Sequence, residues 1–198
     1  MRDKDLTRER ILEAAAKLFA EKGFYETAMD EIVQTAKVSK GGVYFHFPSK
    51  EELFFALLDK LAEALMRQVQ SEIARRRGAV TKVQGALEVV LKGLTSQRHL
   101  AQIILRQGYG LGPSFERKRL EIYARFAQLI QRYLDEAVAE GAILPLNTEI
   151  TAYAWLGAIT ELVVRWLYTG QPDPLTEALP ALQALFLRSI GVTQNTNS

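Results

Sequence analysis

A chain of 198 residues can bury a substantial core, as one mid-sized domain or as a small domain joined to a larger one. Hydrophobic residues at 48% and charged residues at 24% exclude a disordered or fibrous protein. The net charge of +2 is too small to indicate a nucleic-acid partner by itself, and the absence of cysteine excludes disulfides and thiolate metal sites.

The sequence contains no apolar run of the roughly 18 to 20 residues needed to span a bilayer. Its charged N-terminus also lacks the apolar block of a signal peptide. The lack of cysteine is in keeping with a reducing compartment. We therefore expect a cytoplasmic protein with no membrane partner.

Apolar residues recur with helical spacing almost throughout, and no convincing two-residue alternation is bounded by hairpin turns. The sequence predicts an all-α fold whose first helix covers residues 6–21. Thr27 and Asp30 form a variant capping box that would open a short second helix reaching about residue 36. Ser39 caps a third short helix over about 40–45. Two short helices joined by a tight turn indicate a helix-turn-helix.

Ser49 and Glu52 form a capping box for a long helix that reaches about residue 77. Proline and glycine separate the later helices, which the periodicity places at about 80–95, 97–107, 114–140, 148–169 and 175–190. About nine helices result. We expect a helix-turn-helix domain over 1–48, a helical bundle over 49–190 and a flexible tail over 191–198.

A short basic segment, residues 36–50, contains Lys37, Lys40 and Lys50 and no acidic residue. Such a segment favours contact with a polyanion, although a solvated surface has the same composition. Lys50 lies in the first turn of its predicted helix, where the helix dipole prefers acids, so its placement is explained best by a phosphate opposite.

Residues 27–53, TAMDEIVQTAKVSKGGVYFHFPSKEEL, closely resemble the DNA-binding signature of the TetR/AcrR family of bacterial transcriptional repressors. The shared features are the Val-Ser-Lys-Gly start of the third helix, the Tyr-Phe-His-Phe segment and the Ser-Lys-Glu-Glu-Leu start of the fourth. Downstream, only the length and the helical layout match. The resemblance implies a homodimer that binds a palindromic operator in double-stranded DNA and responds to a ligand.

The resemblance also implies which residues bind DNA: Thr27, Ser39, Lys40, Gly41, Gly42, Tyr44, His46 and Lys50. Thr27 would meet a phosphate at a helix start, Lys40 would face bases or phosphate, and Tyr44 and His46 would donate to the sugar-phosphate backbone. The alternatives are that Thr27 is only a cap, and that Tyr44 and His46 complete an apolar joint with the fourth helix.

Two adjacent glycines in a short helix need a reason, because each costs about 1 kcal/mol of helix stability relative to alanine. Gly41 and Gly42 would allow close approach to DNA, and the alternative is a frayed helix. Lys37 stands where the family often has glycine, which predicts a lysine in a left-handed conformation or a slightly different turn. Gly42 replaces a frequent threonine and removes one hydroxyl contact.

Apolar residues of the third helix and its ends are expected in the core of the small domain. They are Val38, Val43, Phe45 and Phe47.

In the family, the C-terminal bundle encloses a ligand cavity and its last two helices form the dimer interface. The predicted pocket residues are Leu105, Arg106, Tyr109, Tyr123, Phe126, Ile130, Trp155 and Trp166, although aromatic stripes are also common in ordinary cores. The predicted helix 148–169 is apolar nearly all round and the last helix repeats this pattern, which favours a homodimer. The glycine-rich segment 106–113 would form a flexible turn at the pocket entrance.

The effector implied by the family is small and hydrophobic, for example a fatty acyl-CoA or a lipophilic drug-like compound. Residues 75–77 are three arginines that either end a solvated helix or hold acyl-CoA phosphates. Glu161 and Arg165, four residues apart, either contact a polar group of the ligand or pair at the dimer interface.

Two other classes of protein are alternatives to a regulator. An enzyme is disfavoured because His46 and His99 are the only histidines and no spaced cluster resembles a catalytic or metal site. We therefore predict no catalytic residues, no metal and no cofactor. An architectural protein without an effector is the second alternative, and its bundle core would be filled.

Overall fold

The structure is a computed structural model that describes residues 2–102, 105 and 112–192. Over these residues the chain forms nine α-helices and no strand, which confirms the all-α prediction. The helices are α1 Arg2–Lys22, α2 Met29–Ala36, α3 Lys40–His46, α4 Lys50–Arg75, α5 Ala79–Ser96, α6 Arg98–Gln102, α7 Pro113–Ala139, α8 Thr148–Thr169 and α9 Leu179–Ser189. In the described ranges, no helix has the length and apolarity needed to cross a membrane.

The chain divides into two compact units. The first unit comprises Met1–Ala62 and His99–Lys118, and the second comprises Glu63–Arg98 and Arg119–Ser198. The sequence predicts a boundary after residue 48, whereas the first unit of the structure also includes the first half of α4. Helices α4 and α7 therefore each contribute to both units.

The core of the first unit forms around the apolar face of α1. Helix α1 contributes the buried side chains of Ile11, Leu12 and Phe19. Helices α2, α3 and α4 add further buried side chains: Ile32, Val43, Leu53, Phe54 and Leu57. The Phe19 and Phe54 rings meet edge to face at 5.2 Å, and Phe54 stacks on Phe115 at 5.9 Å. These are the arrangements that the ring quadrupoles favour.

The predicted caps of α3 and α4 are confirmed, but the predicted cap of α2 is wrong. Ser39 Oγ accepts from the Gly42 amide at 3.1 Å, and Ser49 Oγ accepts from the Glu52 amide at 3.1 Å. In α2 the N-cap is Ala28, whose amide donates to Glu31 Oε2 at 3.0 Å. Thr27 lies one residue too early.

The turn between α2 and α3 contains the backbone feature expected of Lys37. This residue ends α2 with φ 52°, in the left-handed region. A non-glycine residue costs about 1 kcal/mol or more in this conformation. The turn therefore depends on interactions that offset this cost.

Helix α8 begins and ends where the sequence predicts. Asn147 Oδ1 accepts from the Ile150 amide at 3.0 Å, and Gly170, with φ 77°, ends the helix. One face of α8 is buried in the second unit through Ala152, Trp155, Ile159, Val163 and Trp166. Its other face is exposed in the chain, so the helix is not covered all round.

The last predicted helix, 175–190, is divided in the structure. Pro174–Ala178 forms a π-helical turn in which the Ala178 amide donates to the Asp173 carbonyl at 2.9 Å, and α9 follows it. Pro180 has no N–H and cannot donate a hydrogen bond to the preceding turn, which gives a physical reason for the division. Helix α6 starts near its predicted position, but the predicted end at 107 lies outside the described residues.

Asp173 caps the π-helical turn, and this predicts an acid-dependent loss of stability. Its carboxylate accepts from the amides of Thr176 and Leu175 at 2.8 and 3.0 Å and from the Thr176 hydroxyl at 2.8 Å. These bonds, the Thr176 amide first, hold the pKa of Asp173 below its ordinary value. The stabilisation is therefore present above the unfolded-state pKa and disappears as the pH falls through the folded-state pKa.

We expect Asp173→Ala to lower the melting temperature at pH 7 and to differ less from wild type as the pH falls below about 4. Thermal unfolding followed by circular dichroism at both pH values measures this. A difference that stays constant with pH would contradict the assigned role of the carboxylate.

Candidate DNA-binding surface and ligand cavity

Helix α3 has seven residues and presents one face to the core and the other to solvent. Val43 and Phe47, four residues apart, are buried, as predicted. Phe45 is 69% exposed, so its assignment to the core is wrong. Phe45 is two residues from both Val43 and Phe47. Two residues turn a helix by about half a revolution, so Phe45 points away from the core.

Phe45 and Tyr44 form an exposed aromatic pair on α3. Tyr44 is 39% exposed. Lys4 Nζ lies 5.2 Å from the Phe45 ring centroid, and the half-buried His46 ring lies 5.3 Å from Phe45. The exposure of Phe45 differs from the sequence-based prediction, although its position on the helical wheel, opposite Val43 and Phe47, indicates a surface residue.

Lys40 is exposed at the start of α3 and pairs with a carboxylate of α2. Its Nζ lies 2.9 Å from Asp30 Oδ1, and about two thirds of each side chain is exposed. The hydrogen bond to Asp30 raises the pKa of Lys40, so the ammonium stays charged at neutral pH. An exposed pair of this kind is weak and can be exchanged for another anion.

Thr27 and Lys50 make internal contacts. Thr27 is buried, and its hydroxyl donates to the Gly23 carbonyl at 2.7 Å. Lys50 Nζ donates to the carbonyls of Thr27 at 2.9 Å and Tyr25 at 3.1 Å, and it lies 4.7 Å from the Phe24 ring centroid. Burial lowers the pKa of Lys50. Lys50 therefore ties the loop before α2 to the start of α4.

The two glycines of α3 differ in their surroundings. A Cβ at Gly41 would meet nothing within 4 Å, whereas one at Gly42 would lie 2.9 Å from Val38 Cγ1 and 3.1 Å from Ser39 Oγ. The packing of the turn itself therefore explains Gly42. At position 41, by contrast, no packing within the chain requires a glycine.

The second unit contains a cavity of about 200 Å³. Five helices provide its mostly apolar lining, which includes Val69, Ile73, Val83, Ala86, Val90, Phe126, Leu129, Ile130, Trp155, Ile159, Phe186 and Ile190. In this lining, Trp155 stacks on Phe186 with 4.4 Å between ring centroids. Trp155 Nε1 donates to Ser189 Oγ at 3.0 Å, so the polar atom of the indole is already satisfied.

The cavity includes part of the predicted pocket. Phe126, Ile130 and Trp155 line it. Leu105, Tyr123 and Trp166 do not line it, and their predicted role in ligand binding stays a prediction. Leu105 is buried in the first unit, while Arg119 lies 4.9 Å over the Tyr123 ring and Arg98 lies 4.6 Å over Trp166. Arg106 and Tyr109 lie outside the described residues.

Charged side chains reach the cavity between the start of α5 and the end of α7. Lys82 is half-buried there, and Glu136 and Glu140 are exposed. None of these three residues is among the predicted pocket residues. The available signal was a charge on an apolar stripe: Lys82 adjoins the lining positions 79, 83, 86 and 90 of α5.

A continuous exposed stripe runs along α8. Residues three or four apart recur on it: Ile150, Tyr153, Ala154, Gly157, Glu161, Arg165 and Tyr168. A Cβ at Gly157 would meet nothing within 4 Å. Helix α9 exposes Ala181, Leu185 and Arg188 with the same spacing. Exposed apolar residues grouped in this way are typical of protein-protein contacts.

Comparison with known proteins gives consistent matches. The model of the family described as bacterial regulatory proteins, tetR family, matches residues 11–57. The transcriptional regulator SrpR of Pseudomonas putida is 28% identical, over 83% of this chain and 75% of its own length. The transcriptional repressor KstR2 of Mycobacterium tuberculosis is 26% identical, over 94% of this chain and 93% of its own.

The fold is also shared with solved structures. The transcriptional regulator FadR from Bacillus subtilis, solved in complex with stearoyl-CoA, superposes with a TM-score of 0.81 at 20% identity, covering 92% of this chain and 98% of that one. SrpR, KstR2 and FadR are all named as regulators of transcription and not as enzymes. Residues 11–57, which include the helix-turn-helix, therefore match the tetR family of bacterial regulatory proteins, and the whole chain is similar to relatives named as transcriptional regulators.

Proposed function

We propose that the protein is a cytoplasmic, homodimeric repressor that binds a palindromic operator and is released by a small hydrophobic effector. The observation that carries this proposal is the combination of two features. One short helix exposes Lys40, Gly41 and Tyr44 beside a tight turn, and the second unit contains a mostly apolar cavity whose lining includes a few charged side chains.

The DNA-binding surface we propose is the exposed face of α3. A helix of this width fits the major groove, which is about 12 Å wide. Lys40 would exchange its exposed bond to Asp30 for a phosphate or base contact. Tyr44 would donate its phenol to the backbone, and Ser39 can donate its hydroxyl because its cap uses the oxygen as acceptor.

Two of the predicted DNA-binding residues, Thr27 and Lys50, are poorly placed for a direct contact with DNA. The buried Thr27 hydroxyl is directed at carbonyls within the first unit. Lys50 uses two of its three N–H donors on main-chain carbonyls, so only one remains for a phosphate. We infer that Lys50 acts on DNA binding mainly by holding the loop before α2.

The exposed stripes of α8 and α9 support the proposed homodimer. Gly157 leaves space for a partner helix to approach closely, and Ile150, Tyr153 and Leu185 supply apolar surface. A two-fold axis through these helices would make one patch self-complementary. Two helix-turn-helix units about 34 Å apart would then read the two halves of a palindrome.

The cavity supports an effector with an apolar body and a polar end. A dry protein cavity of about 150 Å³ is able to bind benzene, so about 200 Å³ holds a small apolar compound or part of an acyl chain. Lys82, Glu136 and Glu140 would face the polar end. Such a cavity also argues against an architectural protein with a filled core.

Fatty acyl-CoA is the effector class that the comparisons support best, because FadR of the same fold was solved with stearoyl-CoA. Arg76 is held by Glu72 at 2.7 Å and Glu88 at 3.9 Å. Arg75 and Arg77 are more exposed and would be better placed to meet phosphates. A lipophilic drug-like compound is the alternative, and it would not depend on these arginines.

Release would follow from a shift of population between two conformations. Helix α4 is continuous from Lys50, which holds the loop before α2, to Arg75, and its residues Val69 and Ile73 line the cavity. An effector that binds one position of these side chains more tightly biases the whole helix. A coupling of about 1 to 3 kcal/mol is enough for an appreciable switch.

The first test is selection of bound sequences from a random duplex library with purified protein, followed by salt titration of the best site. We expect a palindrome whose affinity falls on Lys40→Ala or Tyr44→Ala, with exposed Lys17→Ala on α1 as the charge control. Recovery of no sequence at low salt would overturn the proposed function.

Gly41 provides a second prediction. Because a Cβ there meets nothing, we expect Gly41→Ala to fold and to gain up to about 1 kcal/mol of stability from helix propensity. If the α3 backbone approaches DNA closely at this point, the same change weakens operator binding. Thermal unfolding and an operator-binding titration measure the two effects, and unchanged affinity would show that the backbone of Gly41 does not approach the DNA.

A further inference from the structure

We propose that Arg10 of α1 is a positioning residue for DNA reading: its guanidinium holds the turn between α2 and α3 and so fixes the direction of α3. This inference rests on the proposed operator binding. It assigns a role to a side chain outside the helix-turn-helix itself.

Arg10 reaches the turn through two main-chain hydrogen bonds. Its Nη2 donates to the Ala36 carbonyl at 2.7 Å and to the Lys37 carbonyl at 3.0 Å. Ala36 is the last residue of α2 and is buried, and Lys37 is its C-cap. One nitrogen of α1 therefore binds both carbonyls at the point where the chain leaves α2.

The end of α2 needs such a partner for two reasons. The last carbonyls of a helix have no partner within the helix and carry the negative end of its dipole, which a cation stabilises. The last turn of α2 has no basic residue of its own. The turn also holds Lys37 at φ 52°, a conformation that disfavours any side chain. Arg10 compensates for both.

The direction of α3 depends on this turn because α3 is short and starts directly after it. Only Val38 and Ser39 separate Lys37 from the first residue of α3. The ion pair that joins α2 directly to α3, between Asp30 and Lys40, is exposed, and salt or a phosphate displaces it. A binding side chain must be placed to within about 0.5 Å, so loosening the turn impairs base contacts before phosphate contacts.

The test compares specific and non-specific binding by Arg10→Met, which keeps an apolar stem but removes the donors. With the best duplex from the selection experiment, we expect affinity to fall about tenfold, the cost of a mismatched base pair. Affinity for a scrambled duplex at the same salt should change no more than it does for Lys17→Met, which removes one positive charge two turns further along α1. Equal losses on both duplexes, matching those of Lys17→Met, would overturn the proposal.

Two further variants keep the test decisive. Lys37→Gly relieves the left-handed conformation, so Arg10→Met should lose less discrimination in the Lys37→Gly background than in wild type. If Arg10→Met does not fold, Arg10→Lys retains the charge but reaches less far. Discrimination equal to wild type in Arg10→Lys would then overturn the proposal. Failure of the wild-type protein to discriminate the two duplexes would refute operator binding instead.

Discussion

Gly157→Arg is expected to produce a folded monomer that no longer binds the operator tightly. In the single chain a Cβ at this exposed position meets nothing within 4 Å, and replacing a mid-helix glycine favours the helix by up to about 1 kcal/mol. In the proposed dimer, however, the arginine would occupy the space that a partner helix needs. Loss of the second half-site should reduce operator affinity by about 100-fold or more.

Analytical ultracentrifugation and operator titration measure the two parts of this prediction. Gln128→Arg, an exposed position on α7 outside the α8 and α9 stripes, is the matched control and should remain a dimer. Circular dichroism should show unchanged helix content for both variants. A dimeric Gly157→Arg variant with full affinity would rule out close packing of two copies at this glycine.

The helices that the sequence predicts most closely are those with strong local signals at their ends. Asn147 and Gly170 fix α8, and Ser39 and Ser49 fix the starts of α3 and α4. The side chains of Asn147, Ser39 and Ser49 each accept from a backbone amide three residues further on, and Gly170 readily takes a positive φ, so the sequence alone contains these signals. The left-handed Lys37 is one of the two alternatives that the resemblance implies, because the family often has glycine at this place in the turn and glycine accepts a positive φ.

The errors have a different physical origin. At α2 the start differs by one residue because Glu31 reaches back to the Ala28 amide, which leaves Thr27 to bond inward. The apolarity of Phe45 favours a place in the core, although its position on the helix faces away from Val43 and Phe47. In both cases the residue type is a weaker guide than its exact position.

The cavity is the least predictable feature, because a cavity forms where side chains are small and helices meet at a distance. The predicted pocket relies on large aromatic residues, of which Tyr123 and Trp166 do not line the cavity. Ala79, Ala86 and Ala137 do line it. Which faces of α5, α7 and α8 meet is decided by packing between helices that are far apart in sequence.

Ala86→Phe is expected to fill the cavity and give a repressor that no longer responds to its effector. Ala86 lines the cavity and packs against Val69, Ile73 and Leu129. A phenyl ring there would occupy space that the effector needs, while the apolar lining tolerates the change. Operator binding should persist, because the face of α3 is unchanged.

Stearoyl-CoA and the lipophilic dye Nile red are suitable probes of this prediction. An effector at 100 times its Kd stabilises a folded protein by about 2.7 kcal/mol, and this gain should appear in the wild-type protein but not in Ala86→Phe. Quenching of Trp155 fluorescence reports occupancy independently, since its ring forms part of the wall. Ala74→Phe makes the same change at an exposed site on α4 and should behave as wild type.

The two probes also separate the candidate effector classes. If stearoyl-CoA releases the wild-type protein from its operator, Lys82→Met should weaken that release and leave Nile red binding unchanged, because only the thioester ligand carries anionic groups. Release that persists in Ala86→Phe would mean that the effector acts elsewhere on the protein. The expected result is that Ala86→Phe keeps its operator binding and loses both the thermal shift and the release. That result would place the effector against α5, where Ala86 and Lys82 both line the cavity.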